Sequence, residues 1–520
     1  MTTLVRIMMA LVLSGLWVSS STSHAATSGF TLTTSAVCEG GTGCGNVWAS
    51  ATTCKRNCII TVQAMPFDGW LFDHWGGGAT GNANPTTVRM TSDTKVTAFF
   101  VKSGPPTPPP TPAIGHEVIG YFIQWGIYGR DYLVKDIVAT GAAQTLTVIN
   151  YAFAGIADNL TCTSLDTFAD WGKSFAASES VDGVGDTAGQ SLKGNFNQLR
   201  KLKALYPQIR VVISIGGWSD SARFSDAALP ANRVNFVQSC VDMFIKGQFA
   251  VGVSGAGVFD GIDIDWEYPG ACGATCSFRT EDRTNFTLLL QEFRKQLDAA
   301  SPDRHLLLTA ATPVASAYDD KMIDLSGISP SIDWMNLMAY DFHGSWEPNG
   351  PTNHHANLKP NTSDPSLQKL SVDGAVSGYI TKGVDPSKIA IGLPFYGRGW
   401  TRVPAGASSG LYQGAGGLPR GTWERGVDDY KVLKTKGYPE YWDDTAHASW
   451  LYNGSTFWSF DSPQAVRNKM DYIATRGLMG VMFWELSGDD GTLVGTIAEC
   501  LASSANCQQP PLHRGLNRGR

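Results

Sequence analysis

The sequence predicts an α/β protein: a (β/α)8 barrel with an α+β insertion domain, preceded by a small all-β module. Three observations predict this arrangement. Short β-type runs with Gly-rich turns occupy residues 26–102, and a Pro- and Thr-rich segment follows at 103–113. From residue 114 to about 502, eight apolar runs alternate with helical patterns, which is typical of repeated β–α units.

Length and composition place limits on the function. A chain of 520 residues fits two or three domains, and 43% hydrophobic residues suffice for a sizeable core. A formal net charge of −6 and a pI near 5.9 argue against a nucleic-acid partner. Residues 1–25 resemble a secretory signal, with Arg6, an apolar stretch and a small-residue cleavage site. We therefore expect a secreted, extracellular monomer without a membrane partner.

The N-terminal module has three β-rich runs, Phe30–Thr33, Ile59–Val62 and Lys95–Phe100, and no helical period. Phe72–Trp75, with the later strand-like segments, resembles the InlB B-repeat modules of bacterial surfaces, a likeness that implies no enzymatic activity. Two interpretations of its tryptophans remain open. Trp48, Trp70 and Trp75 could form a sugar-binding face, or Trp70 and Trp75 could be the core of the module.

The ten cysteines suit an oxidising compartment. Their clustering suggests pairing within Cys38–Cys58, between Cys272 and Cys276, and between Cys500 and Cys507. Cys162 and Cys240 remain, as a pair or as free thiols. A zinc site formed by the first four cysteines is the rival interpretation. We predict a disordered tail at residues 503–520.

The segment after the Pro-rich linker contains the eight candidate strands. An open, doubly wound sheet is the alternative to a closed barrel, because strand count alone does not prove closure. A helix is predicted over Arg283–Leu297 from its apolar spacing. Residues from about 400 to 476 exceed one helix and two loops, and they predict the insertion domain. The strand runs are Val118–Phe122, Leu146–Phe153, Val211–Ile215, Val258–Trp266, Leu306–Ala310, Trp334–Tyr340, Ile389–Pro394 and Gly480–Trp484.

The fourth run carries the strongest functional signal. Its alternation places Asp263, Asp265 and Glu267 on one strand face, whereas Asp260 has the other parity. Like charges this close cannot all ionise cheaply, so some pKa should be raised. A solvated edge would not need the interleaved isoleucines, and calcium favours irregular loops over a straight strand. The row therefore predicts an acid-catalysed site at the carboxyl end of a barrel strand, without a metal or cofactor.

The spacing Asp260-x-x-Asp263-x-Asp265-x-Glu267 resembles the active-site signature of the family 18 glycoside hydrolases, the chitinases. Further motifs resemble that family at successive strand ends. They are Tyr121 with Trp125 in the first unit, Ser214-Ile215-Gly216-Gly217-Trp218 at the third strand, Met338-Ala339-Tyr340-Asp341 at the sixth, and Trp484 at the eighth. The insertion resembles that of chitinase A-type enzymes.

The resemblance implies roles for these residues. Glu267 is the general acid, the substrate's own acetamido oxygen is the nucleophile, and configuration is retained. Asp265 orients the acetamido group, Asp263 shares a proton with Asp265, and Tyr340 hydrogen-bonds the acetamido group. Asp260, Ser214, Gly216 and Gly217 are structural. Substrate contacts are implied for Tyr121, Trp125, Trp218, Met338, Asp341, Tyr396, Arg398, Asp443 and Trp484. The implied substrates are chitin and chito-oligosaccharides.

Three competing functions remain open at this stage. Non-catalytic sugar-binding relatives lose the terminal acid, but Glu267 is present here. The second function is hydrolysis of another substrate that contains N-acetylglucosamine, such as a glycoprotein glycan or peptidoglycan. Surface attachment through the β module, with the barrel secondary, is the third.

Overall fold

A computed structural model describes residues 29–102 (except 39–42, 56, 68 and 69), 116–502 and 507. The predicted signal segment, linker and tail lie outside these residues, apart from Cys507. The chain divides into two compact units, 1–108 and 109–520, which are described separately. None of the helices within the described residues is long and apolar enough to cross a bilayer.

The first unit is an all-β module, as predicted. Two sheets, with strand orders β3-β1-β7-β5 and β2-β4-β6, enclose one small core. Trp75 belongs to that core and its indole N–H donates to the carbonyl of Ala83 at 2.9 Å, whereas Trp48 is 42% exposed. A sugar-binding face made of all three tryptophans is therefore excluded. The strands are β1 Phe30–Cys38, β2 Gly45–Ala49, β3 Thr53–Cys54, β4 Ile59–Pro66, β5 Trp70–Gly77, β6 Thr86–Arg89 and β7 Thr94–Lys102.

The second unit contains a closed barrel of eight parallel strands, a TIM barrel. Its strand order is β8-β9-β11-β14-β15-β16-β17-β23, and β8 pairs with β9 to complete the circle, so the open-sheet alternative is wrong. The barrel strands are β8 Glu117–Ile123, β9 Val148–Ile156, β11 Arg210–Gly216, β14 Gly261–Asp265, β15 Leu307–Pro313, β16 Trp334–Met338, β17 Ile389–Pro394 and β23 Gly480–Trp484. Three short strands lie outside the circle, namely β10 Cys162–Ser164, β12 Gln248–Ala250 and β13 Val253–Ser254.

Helices surround the barrel. The longest, α5, runs from Asp282 to Ala300 and buries Phe286, Leu289, Phe293 and Leu297, the face that the apolar spacing predicted. The helix before the last strand, α9, begins at Pro463, with Ser462 as its N-cap, and ends at Arg476, which Gly477 follows in the left-handed conformation. The helices are α1 Val134–Ala139, α2 Gly194–Leu205, α3 Phe224–Ala227, α4 Arg233–Cys240, α5 Asp282–Ala300, α6 Leu325–Ile328, α7 Val372–Thr381, α8 Tyr430–Leu433, α9 Pro463–Arg476 and α10 Thr492–Ala502.

A second sheet of five strands is inserted between β17 and β23, with the order β19-β18-β22-β21-β20. It starts at Tyr396 and ends at Phe460, and α9 follows. The sheet and α8 form the α+β insertion expected from the excess length. Its strands are β18 Tyr396–Thr401, β19 Val427–Asp429, β20 Glu440–Asp443, β21 Ala448–Tyr452 and β22 Thr456–Phe460.

All ten cysteines are paired, as Cys38–Cys44, Cys54–Cys58, Cys162–Cys240, Cys272–Cys276 and Cys500–Cys507. The zinc interpretation of the first four is therefore wrong, and Cys162 and Cys240 form a pair rather than two free thiols.

Candidate active site

Asp263 lies inside the barrel at the centre of a cage of hydrogen-bond donors. Its Oδ2 accepts hydrogen bonds from the hydroxyls of Tyr121 (2.9 Å) and Ser214 (2.7 Å). Its Oδ1 accepts from the Thr309 hydroxyl (2.5 Å) and the Asn336 amide (3.1 Å). Burial raises the pKa of Asp263, and these four hydrogen bonds oppose the rise. All four donors favour the carboxylate over the acid, so the cage orients Asp263 as an acceptor.

Asp265, two residues further along the same strand, has a different environment. It is 5% exposed, and its Oδ1 is buried without a hydrogen-bond partner among the described residues. Burial raises the pKa of Asp265 well above its usual range, and the nearby charges of Glu267 and Asp263 raise it further. A proton shared by the acidic row therefore resides more readily on Asp265 than on Asp263.

Glu267 lies two residues beyond the end of β14, where the chain leaves the barrel wall. The strand is shorter than the predicted run to Trp266, because its pairing ends at Asp265. Burial raises the pKa of Glu267 to about 7, the charge of Asp341 adds to the rise, and a hydrogen bond with Tyr268 opposes it. A carboxyl group with this pKa is still substantially protonated near neutral pH, which a general acid requires.

No lysine or arginine among the described residues forms an ion pair with Asp263, Asp265 or Glu267. The contrast with Asp341, at the end of the sixth barrel strand, is clear. Asp341 accepts hydrogen bonds from the Arg398 Nε (2.8 Å) and Nη2 (2.6 Å) and from the Tyr396 hydroxyl (2.8 Å). Although burial opposes ionisation, the charge and hydrogen bonds of Arg398, with His355 Nδ1 3.6 Å away, hold the pKa of Asp341 well below its usual range.

Tyr340 precedes Asp341 and faces the same acids. Its hydroxyl lies 3.9 Å from the Met482 sulfur, a weak contact that leaves its hydrogen-bonding capacity largely free. Burial raises the pKa of Tyr340 well above its usual range, followed by the charges of Asp265 and Asp341. The hydroxyl is therefore a neutral donor beside the acidic row.

Aromatic rings form one end of the site. The Trp484 ring stacks on Phe153 with centroids 5.7 Å apart, and it contacts Tyr121 at 5.5 Å and Trp125 at 6.4 Å. Trp125 and Trp218 are exposed, at 38% and 56% of their surfaces. Flat apolar surfaces beside polar groups are suited to sugar rings.

These groups line one cavity of about 1170 Å³ at the carboxyl ends of the barrel strands. It brings together most of the predicted residues, listed here: Tyr121, Trp125, Gly216, Trp218, Asp265, Glu267, Met338, Tyr340, Asp341, Tyr396, Arg398 and Trp484. Within the described ranges, no group of three or more His, Cys, Asp or Glu side chains is arranged to hold a metal ion.

Comparison with known proteins identifies the family. The sequence profile described as Glycosyl hydrolases family 18 matches residues 117–489, which is more than half of the chain. The chain belongs to glycosyl hydrolase family 18. A second profile, the Divergent InlB B-repeat domain, matches residues 23–104.

Individual family 18 proteins are similar over most of the second unit. Chitinase C of Streptomyces lividans is 42% identical over 73% of this chain and 58% of its own length. Chitinase 63 of Streptomyces plicatus is 41% identical over 78% of this chain and 63% of its own. The chain thus spans less than two thirds of these curated relatives. The catalytic domain of the psychrophilic chitinase B from Arthrobacter TAD20 superposes with a TM-score of 0.72 at 40% identity, covering 75% of this chain and 96% of that one.

One predicted contact residue is not brought to the family 18 cleft. Asp443 does not line the cavity, and its side chain accepts hydrogen bonds from the Asn361 amide (2.7 Å) and the backbone N–H groups of Thr445 and Ala446. It also lies 3.3 Å from His354 Nε2. Through these contacts Asp443 stabilises the turn between β20 and β21. We therefore do not include Asp443 among the proposed substrate contacts.

The predicted structural residues support the site from behind. Ser214 donates to Asp263, and Asp260 pairs with Lys203 (2.6 Å) and Arg304 (2.7 Å) at the opposite end of the strand. The two glycines allow close packing of the protein around the site. A Cβ at Gly216 would lie 2.3 Å from the Asp265 carbonyl oxygen, and one at Gly217 would lie 2.7 Å from the Phe153 ring.

Two exposed tryptophans of the cleft, Trp346 and Trp423, were missed from the sequence. Trp346 is 56% exposed and lies under the Arg398 guanidinium at 5.3 Å. Trp423 is 46% exposed, contacts Arg130 at 4.7 Å and donates to Asp429 at 3.1 Å. The only signal available was a tryptophan in a polar, Gly-containing loop, which is a poor place for a core residue.

Proposed function

We propose that this protein is a secreted chitinase that hydrolyses β-1,4-linked N-acetylglucosamine polymers with retention of configuration. The observation that carries the proposal is the cation-free row of buried acids at the cleft, ending in Glu267 with a pKa of about 7. The names of the three similar proteins given above, each a chitinase, support chitin and chito-oligosaccharides as substrates. The predicted signal at 1–25 supports secretion, and we propose that the protein acts as a monomer.

In the proposed first step, the Glu267 carboxyl group donates its proton to the leaving glycosidic oxygen. The carbonyl oxygen of the substrate's 2-acetamido group attacks the anomeric carbon as the glycosidic bond breaks, which gives an oxazolinium ion. Family 18 is among the exceptions to the scheme in which a second enzyme carboxylate is the nucleophile. Water then adds to the anomeric carbon, Glu267 accepts its proton, and the product keeps the original configuration.

The other members of the site support this chemistry. Asp265 has a buried oxygen with no hydrogen-bond partner among the described residues, which suits a hydrogen bond to the acetamido N–H. Tyr340 is a neutral donor with a free hydroxyl on the same cavity wall, which suits the acetamido oxygen. Asp263, held by four donors, shares a proton with Asp265, and Asp265 stabilises the developing positive charge.

The proposed substrate-binding surface consists of the aromatic and polar cavity residues. Trp484 and its neighbours Tyr121 and Trp125 suit one side of the cleavage point, and Trp218 widens the aromatic surface. Arg398, Tyr396 and Asp341 form a hydrogen-bonded group that can contact sugar hydroxyls, with Met338 as an apolar neighbour. We propose a catalytic domain over 114–502 with the insertion at about 400–476, a β module over 26–102, a linker at 103–113 and a tail at 503–520.

The test compares two polymers that differ only in the acetamido group. Chitin oligomers and fully deacetylated chitosan oligomers of equal length are incubated with the protein, and the products are separated by mass. We expect cleavage of the first and none of the second, because only the first carries the nucleophile. Efficient cleavage of deacetylated chitosan contradicts the mechanism, and cleavage of neither contradicts the chitinase assignment.

A further inference from the structure

The Glu267 backbone is held from two sides by groups with no assigned role. On one side lies Ser221, in the loop after the third barrel strand. Its Oγ accepts the Glu267 backbone N–H at 2.9 Å. The same hydroxyl is within donating distance of two carbonyl oxygens, those of Gly217 (2.9 Å) and Asp265 (3.1 Å). Ser221 is 5% exposed, so water cannot readily replace these bonds.

On the other side lies the five-residue loop Cys272–Cys276, which the disulfide between its end residues closes. Gly273, inside this loop, packs directly on the Glu267 peptide. A Cβ at Gly273 would lie 2.2 Å from the Glu267 carbonyl oxygen and 3.0 Å from its carbonyl carbon. The loop is otherwise largely exposed, with Cys272, Ala274, Thr275 and Cys276 facing solvent. An exposed loop has little packing to hold it in place, so the covalent link is what restricts its freedom.

We propose that Ser221 and the disulfide-closed loop Cys272–Cys276 form a two-sided clamp that positions the Glu267 carboxyl group for proton donation. The clamp rests on the proposed function, because it matters only if Glu267 is the general acid. Ser221 and Gly273 are positioning residues, since neither donates a proton to the substrate. Glu267 lies beyond the last paired residue of β14, so the sheet itself does not restrain its peptide. Misplacement of a reacting group by about 1 Å can cost about 100-fold in rate.

Two substitutions act on the two sides separately. Ser221→Ala removes the acceptor of the Glu267 N–H, and Gly273→Ala inserts a methyl group against the Glu267 carbonyl. We expect each to lower kcat on chitin hexamer by about tenfold while KM changes by less than about twofold, because binding surfaces are untouched. For Ser221→Ala, we also expect the alkaline limb of the pH profile to move to lower pH, because a displaced Glu267 carboxyl group loses part of the burial that raises its pKa.

Each variant has a matched control elsewhere in the barrel unit. Ser239 also accepts a backbone N–H, from Cys162 at 2.8 Å, and donates to a carbonyl, that of Phe236 at 2.6 Å, so Ser239→Ala removes the same pair of bonds away from the cleft. Gly189 has open space around its Cβ position, so Gly189→Ala adds a methyl group without a clash. For the disulfide, Cys272→Ser with Cys276→Ser is compared with Cys500→Ser and Cys507→Ser. The controls should keep wild-type kcat.

Hydrogen exchange gives a readout that does not depend on turnover. Mass spectrometry of the peptide covering Trp266–Cys276 should show exchange at least about tenfold faster in Ser221→Ala and in the Cys272/Cys276 double variant, and unchanged in the controls. The clamp proposal would be overturned if the variants and the controls had the same kcat, pH profile and exchange rates. Faster exchange with wild-type kcat would also overturn it, because the contacts would then hold the loop without positioning the acid. A wild-type protein that does not cleave chitin would refute the proposed function instead, while the exchange rates still test the contacts.

Discussion

The acids at the two ends of the fourth barrel strand lie in opposite electrostatic environments. At the start of the strand, Asp260 lies between Lys203 and Arg304, with both ion pairs under 3 Å, and also accepts the Val211 N–H. At the other end, Asp263, Asp265 and Glu267 have no cationic partner among the described residues. Asp260 is therefore a compensated structural charge, whereas the cleft end holds acids that burial pushes toward the protonated form.

A second contrast lies within the cleft itself. Asp341 lines the same cavity as Glu267, yet Arg398 and His355 keep it ionised, and its charge in turn raises the pKa of Glu267. One carboxyl group of the cavity is thus held negative, whereas the pKa of the other is raised to about 7. The two acids differ in their cationic partners, because Arg398 pairs with Asp341 and no lysine or arginine among the described residues pairs with Glu267.

The largest expected effect comes from removing the protonated acid. Glu267→Gln keeps the shape but cannot donate a proton, so kcat on chitin hexamer should fall by about 10³- to 10⁴-fold. Far-UV circular dichroism should stay unchanged. The exposed Glu499, whose replacement by Gln should leave kcat at the wild-type value, is the control. A Glu267→Gln protein with more than a tenth of wild-type kcat would end the assignment of Glu267 as general acid.

The same substitution should stabilise the fold at alkaline pH. The pKa of Glu267 is raised in the folded state to about 7 from a usual value near 4.5. The wild-type protein therefore loses stability as pH rises through this interval, by up to about 3 kcal/mol once both states are ionised. Glu267→Gln should raise the thermal midpoint by a few degrees at pH 8 and hardly at all at pH 4. Equal shifts at the two pH values would mean that the buried charge is not the cause.

Removing the ionised partner in the cleft should have a smaller effect. Asp341→Asn removes a charge that raises the pKa of Glu267 and leaves Arg398 with only the more distant Glu424, at 3.6 Å, as an ion-pair partner among the described residues, and both changes favour the Glu267 carboxylate. We expect the alkaline limb of kcat/KM to move to lower pH and kcat/KM at pH 7 to fall by about tenfold. A limb that moves to higher pH would show that Asp341 does not act through its charge.

The smallest effect should come from the compensated end of the strand. Asp260→Asn breaks the ion pairs with Lys203 and Arg304 but keeps an oxygen for the Val211 N–H. We expect a loss of about 1 kcal/mol in the free energy of unfolding, with kcat within about twofold of wild type. Urea unfolding measures the free energy of unfolding, and kinetics on chitin hexamer measure kcat. A loss of activity comparable to that of Glu267→Gln would remove the distinction between the two ends.

Much of the barrel could be predicted because its signals are local. The alternation of Ile262 and Ile264 with Asp263 and Asp265 depends only on the period of a strand, and the structure has a strand there. The ends of the strands were predicted less accurately. The fourth strand is paired over five residues, whereas the predicted run has nine, because pairing depends on the neighbouring strands. Closure of the barrel depends on the pairing of β8 with β9 and β23, which no single run reveals.

The site was predictable where residues follow barrel strands and less so where loops meet. Glu267, Tyr340 and Trp484 lie at or just beyond strand ends, so the fold brings them together. Trp346 and Trp423 reach the cleft through loops of the sixth barrel unit and the insertion, and their positions depend on tertiary contacts such as those with Arg398 and Arg130. Asp443 was expected in the cleft because of its motif, but a local turn uses its carboxylate.

The configuration of the first products tests the central claim most directly. Chitin hexamer is cleaved for a time short compared with mutarotation, and the anomers of the new reducing ends are resolved by chromatography or NMR. Protonated Glu267 acting with the substrate's acetamido group predicts an excess of the β-anomer. Early products dominated by the α-anomer would mean that water attacks directly, and would contradict the assignment of the acidic row to a retaining mechanism.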